Sequence, residues 1–140
     1  MSISRQNLTV VIVSFMSENV IHDCIQSIPD DIKIIVVDNS NNYQFKETIE
    51  KKYSNTTCIL SENIGMGSGN NLGLREVLTD FAFILNPDVT LEEKTIDEIV
   101  NASGILTSFS IIAPILDEEN FPNFKPFNQK NLSDINSEPL

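Results

Sequence analysis

FAFILNPDV, residues 81–89, decides how this chain is read. Phe81 to Leu85 is an uncharged apolar run of strand length, and Asn86-Pro87 breaks it. Asp88 then stands alone where such a strand would leave a sheet. In open α/β sheets ligands bind outside the carboxyl ends of the strands. Just upstream, NIGMGSGNNLG at 63–73 offers backbone N–H groups without side-chain bulk. The two segments together point to a phosphorylated ligand held with a divalent metal.

Outward from this stretch, apolar runs alternate with helical periodicities. LTVVIVSF (8–15), IKIIVVD (32–38) and TTCIL (56–60) read as buried strands rich in β-branched residues. After the first, Ser17 offers an N-cap, and Val20, Ile21, Cys24, Ile25 and Ile28 recur at helical spacing until Pro29. Residues 43–53 form a surface helix with Phe45 and Ile49 on one face. Asn70 to Thr79 reads as a helix with Leu74, Val77 and Leu78 inward. Thr90-Leu91-Glu92-Glu93 has the capping-box pattern and opens a helix through Ile96, Ile99 and Val100, with Gly104 as its C-terminal cap. FSIIAPIL (109–116) reads as a further strand.

The fold class that follows is α/β: a doubly wound, mostly parallel sheet of about five strands with helices on both faces. Residues 1–118 make up the domain. Residues 119–140 form a polar tail, extended or partly disordered.

The formal net charge of −11 is uneven: residues 76–140 carry three Lys/Arg against twelve Asp/Glu. That balance repels polyanions, so nucleic acid is excluded as a partner, as is an electrostatic anchor to anionic lipid. It also leaves a bound diphosphate in need of a cation. The apolar stretch Leu8–Phe15 is too short to span a membrane, so no transmembrane segment is expected. Cys24 and Cys58 read as reduced core thiols of a cytoplasmic protein, and with His22 they are too scattered for a zinc site. His22 falls on the polar side of its helix and is expected in solvent.

The glycine-rich segment does not fit GxGxxG, because Asn70 and Leu72 stand where the third glycine would fall, and it lacks the GK[ST] of a P-loop. Taken alone it is equally a flexible loop and a helix start. Asp38 ends the second strand and Asp88 follows the fourth, which puts two carboxylates on one sheet edge. Each has a plainer role as well, Asp38 as a turn former in DNSNN and Asp88 in a turn after Pro87. A hard cation takes oxygen ligands and keeps waters when it also binds phosphate; Asp88 could supply one such oxygen, with Asn86 nearby. A receiver-like signalling domain is excluded, since Met16 and Ser17 stand where it would need an acidic pair.

VIVSFMSENVIHDCIQSI, IIVVDNS, NIGMGSGNNLG and FILNPDV, in this order, resemble the N-terminal, donor-binding half of family-two inverting glycosyltransferases with the GT-A fold. LNPDV is most similar to the rhamnosyltransferase-type members. The resemblance covers roughly residues 8–118 and implies a nucleoside-diphospho-sugar, UDP- or dTDP-linked, with Mg2+ or Mn2+ as cofactor. It places Ser14 and Phe15 against the nucleotide and Asp38 on the base. Asn63, Gly65, Gly67 and Asn70 lie beside the nucleotide-sugar, with Asn86 next to Asp88, the metal-binding carboxylate. Phe15-Met16 stand where Tyr-Asn is usual, so a hydroxyl and an amide are missing there. The family's general base and acceptor surface lie in a second half that matches no segment here, and Asp134 and Glu138 have no recognisable surroundings. The expectation is a glycosyltransferase, or the donor-binding portion of one, acting on a glycan or lipid-linked acceptor in polysaccharide biosynthesis. It would be cytoplasmic, or peripheral to a membrane through other proteins. The alternative is a truncated or inactive nucleotide-binding module. Oligomeric state is not readable from the sequence.

Overall fold

The computed structural model describes residues 2–106 and 108–113. Four strands, β1 (Leu8–Ser14), β2 (Lys33–Asp38), β3 (Thr56–Leu60) and β4 (Phe81–Leu85), form one sheet in the order β3-β2-β1-β4. Every ladder is parallel, with Ser14 beside Asp38 and Ile12 beside Leu85. Four helices connect or follow the strands: α1 (Ile21–Gln26), α2 (Tyr43–Lys52), α3 (Met66–Arg75) and α4 (Thr95–Ile105). β1 is almost wholly buried because it is central and covered on both faces, which explains its unbroken apolar run.

Strand alternation divides the interior in two. Val10, Ile12, Ile34, Val36 and Cys58 point to one face, where Ile21, Cys24 and Ile25 of α1, Phe45 and Ile49 of α2, and Ile96 of α4 close the main core. Among the described residues, α3 is the helix packed on the opposite face. α3 approaches through Gly69 and Gly73, four residues apart on one side of the helix, which lie against Val13 and Val11.

Several expectations are corrected. The sheet has four strands among the described residues, not five: Phe109–Ala113 joins no ladder, and 114–116 lie outside the described residues, as does the proposed tail 119–140. Instead Phe109 stacks on Phe81, centroids 5.8 Å apart, and Ile112 packs on the core. α1 starts late because the Ser17 hydroxyl bonds the Phe15 backbone (Oγ–H to Phe15 O, 3.2 Å) rather than capping the helix. α4 starts at Thr95, since the capping-box bonds do not form and the Leu91 N–H goes to Ser27 Oγ at 2.9 Å. Gly104 lies inside that helix; its C-cap is Leu106. α3 runs from Met66 to Arg75, not from 70 to 79, and Leu74 and Leu78 are exposed rather than inward. His22 is half-buried, its Nδ1 2.9 Å from the Tyr53 hydroxyl.

Candidate functional site at the carboxyl edge of the sheet

The chain leaves β1 toward β2 and β3 on one side and returns to β4 on the other. The crevice between the carboxyl ends of β1 and β4 is therefore a topological switch point, where open α/β sheets bind ligands. Ser14, Phe15, Asp38, Asn86 and Asp88 all end up on this edge, as does the entry to α3.

Ser14 is fully buried and its Oγ has no hydrogen-bond partner among the described residues. Beyond it Phe15 and Met16 are exposed, and Met16 adopts φ 52°, which turns the chain away from the sheet. Asp38 is 1% exposed, and the loop uses both of its oxygens. Oδ1 accepts from Ser40 N (3.2 Å) and Ser40 Oγ (2.6 Å), and Oδ2 accepts from Asn42 N (2.8 Å). Asp38 thus shapes the DNSNN turn, in the plainer of its two roles. Asn42 goes on to cap α2, its Oδ1 accepting from Phe45 N at 3.1 Å.

Sequence reasoning passed over Asn39. It is 3% exposed, its Nδ2 donates to the Gly65 carbonyl at 3.3 Å, and its Oδ1 has no partner among the described residues. It ties the end of β2 to the entry of α3. The signal available was a second polar residue directly after a buried strand, in a position that had to be either satisfied or functional. Gly65, φ +81°, takes a conformation that favours glycine, and its N–H bonds Asn63 Oδ1 at 3.2 Å. Among the described residues no side chain caps α3, so the N–H groups of its first turn face the edge with partial positive charge. Asn63, Gly65 and Gly67 are exposed there, and Asn70 is half-buried one turn in.

After β4, Asn86 O accepts from Val89 N (3.2 Å), closing a turn with Pro87 in its second position, and from the Cys24 thiol (3.4 Å). Asp88 is exposed and makes no hydrogen bond or ion pair among the described residues. Burial, and then the Asp88 charge, push the Cys24 thiol up to about 11, so it stays protonated. Burial, with Asp38 next, pushes Cys58 to about 12. Both are free buried thiols, as expected. No cluster of three metal-ligating side chains exists among the described residues. One unpaired carboxylate suits a cation that takes its other oxygens from water and diphosphate.

A family model for glycosyl transferase family 2 matches residues 9–122. The chain belongs to that family. It is 30% identical over 122 residues to the low-salt glycan biosynthesis hexosyltransferase Agl10 of Haloferax volcanii, a match that spans 83% of this chain and 39% of that protein. Solved structures of S. aureus TarS share the fold. TarS 1–349 superposes with a TM-score of 0.62 at 16% identity, covering 80% of this chain and 40% of that fragment. Its complex with UDP-GlcNAc gives 0.63 at 16%, covering 80% and 38%. The expected GT-A-like α/β architecture is therefore present, and the chain spans about two-fifths of the length of Agl10 and of the TarS 1–349 fragment. Among the described residues no helix is long and apolar enough to cross a membrane.

Proposed function

We propose that this family-2 chain binds a nucleoside-diphospho-sugar, UDP- or dTDP-linked, at the carboxyl edge of its sheet, for inverting sugar transfer of the rhamnosyltransferase type. The observation that carries this reading is the convergence at one switch point of a helix entrance and an exposed carboxylate, Asp88, neither of which has a side-chain partner among the described residues. The complexes of TarS with UDP and with UDP-GlcNAc support it.

In this reading the turn held by Asp38 forms the floor for the base, with Ser14 and Phe15 at its side. The N–H groups beyond Gly65 face the diphosphate, a geometry in which a helix N-terminus favours anions. Asn63, Gly67 and Asn70 border the sugar. Mg2+ or Mn2+ would be held by Asp88, with Asn86 beside it, and would supply Lewis-acid stabilisation of the departing diphosphate. The acceptor, a glycan or lipid-linked hydroxyl, needs a general base. We assign none among the described residues, and Asp117, Glu118 and Glu119 lie outside them. A cytoplasmic location, or attachment to a membrane through other proteins, accords with this chemistry.

Calorimetry with UDP and dTDP, in Mn2+ and in EDTA, tests the reading. Saturable binding strengthened by metal is the expected result; no binding to either nucleotide would end it. The second reading is a nucleotide-binding module without transfer. A transfer assay over a panel of nucleotide-sugars and acceptors separates the two, because only the first reading yields glycosidic product.

A further inference from the structure

Asp88 sits in a segment, residues 86–94, that forms neither strand nor helix. Pro87 fixes one backbone angle of its turn, and the Val89 N–H bonds the Asn86 carbonyl at 3.2 Å, but neither tie reaches another part of the fold. Two bonds do, and both come from the end of α1. The Cys24 thiol donates to the Asn86 carbonyl at 3.4 Å, and the Leu91 N–H donates to Ser27 Oγ at 2.9 Å. Among the described residues these are the hydrogen bonds that join 86–94 to another element. They flank Asp88.

Ser27 is suited to this work by where α1 stops. It is the C-cap of that helix, and its hydroxyl donates to the Cys24 carbonyl at 2.7 Å. With its hydrogen spent there, Oγ presents only lone pairs, and the Leu91 N–H takes one of them. The carbonyl that Ser27 holds belongs to the same residue whose thiol holds Asn86. Cys24 is 1% exposed within the main core, so the anchor belongs to the interior rather than to a solvated side chain. The Leu91 side chain packs on that core too, which sets an apolar contact beside the bond. Ser27 makes the stronger of the two ties, since a thiol is a weak donor.

We propose that Ser27 and Cys24 are positioning residues for the Asp88 carboxylate. They clamp both ends of its loop to α1, so that a cation arriving with a diphosphate meets the carboxylate already in place. The proposal rests on the reading of Asp88 as the metal ligand. A clamp matters most for such a carboxylate, because no cluster of ligating side chains surrounds it among the described residues to fix the cation. Groups that orient a metal ligand without touching the metal govern affinity by about 10–100-fold.

Calorimetry of UDP binding in Mn2+ and in EDTA measures the gain in affinity that the metal brings. Amide hydrogen exchange of the ligand-free chain measures the clamp itself. Ser27→Ala should cut the gain about tenfold or more, while affinity in EDTA stays within about twofold of the unaltered chain. Ser27→Thr keeps the hydroxyl and should restore the gain. Cys24→Ala should cut it about threefold, the thiol bond being the weaker. Without ligand, Ser27→Ala should speed exchange at the Leu91 amide about tenfold or more and leave the β1 amides unchanged.

An equal loss in Mn2+ and in EDTA would mark a merely structural role and overturn the proposal. So would a gain untouched in both alanine variants, a Ser27→Thr chain that behaves like Ser27→Ala, or Leu91 exchange that ignores the hydroxyl. If Ser27→Ala does not fold, Cys24→Ala and the unaltered chain decide. An untouched gain in the first, or a Leu91 amide in the second that exchanges as fast as that of its exposed neighbour Thr90, overturns the clamp. Failure of the nucleotide reading looks different: the unaltered chain then gains nothing from Mn2+. The metal role falls with that result, and Leu91 exchange alone shows whether α1 holds the loop.

Discussion

Gly73 lies so close to Val11 that a methyl group on its Cα would sit 2.5 Å from Val11 Cγ1. α3 rests on the sheet at that distance, and the same contact recurs one turn earlier, where a methyl on Gly69 would meet Val13 Cγ1 at 2.8 Å. The glycines that read as a phosphate-loop signature are in part a packing device. They bring the helix down so that its uncapped first turn opens at the strand ends.

Gly73→Ala should therefore destabilise the fold by about 1–3 kcal/mol, the usual cost of forcing an extra carbon into a filled interior. Gly67→Ala is the control. Nothing lies within 4 Å of a Cβ there, so the helix should gain up to about 1 kcal/mol from the better propensity of alanine. Urea unfolding of both variants checks the opposite signs.

Asp38→Asn should cost stability before it costs anything else. One amide oxygen replaces two carboxylate oxygens that accept from Ser40 and Asn42, and the new NH2 group meets a donor. A loss of about 1–3 kcal/mol is expected in denaturant unfolding. Nucleotide affinity should fall with it, while the response to Mn2+ persists.

Asp88→Ala should do the reverse. The carboxylate is exposed and unpaired among the described residues, so unfolding should be unchanged within about 0.5 kcal/mol. Calorimetry with UDP should lose its dependence on Mn2+ or Mg2+. Metal dependence that survives in this variant would show that Asp88 is not the ligand.

The buried thiols make stability fall at high pH. Cys24 and Cys58 hold their protons to about 11 and about 12 in the native chain, while an unfolded thiol releases its proton near about 8.5. Above that value the native state binds more protons than the unfolded state, so unfolding becomes progressively easier up to the native values. Urea midpoints at about pH 8 and about pH 10 should show the decline, and a Cys24→Ala/Cys58→Ala variant should show a shallower one.

The strands were legible because a buried parallel strand announces itself locally. LTVVIVS, KIIVVD, TTCIL and FAFIL are β-branched or aromatic runs bounded by polar breaks, and each forms within about two residues of its expected place. The exposed Asp88 after β4 was legible for the same reason, since Asn-Pro ends the strand wherever the sheet lies. What no local pattern could determine was anything set by a partner far along the chain. A helix over GSGNN has poor propensity, and it forms because Gly69 and Gly73 meet Val13 and Val11, more than fifty residues earlier. FSIIA has strand composition but joins no ladder among the described residues, since its aromatic ring is taken by Phe81. The roles of Asp38 and Asn39 at the candidate site were decided in the same way, by the donors the folded loops brought to Asp38 and the Gly65 carbonyl they brought to Asn39. Composition and period select the elements; the short-range bonds and contacts that set their limits and orient the site exist only once distant segments have packed.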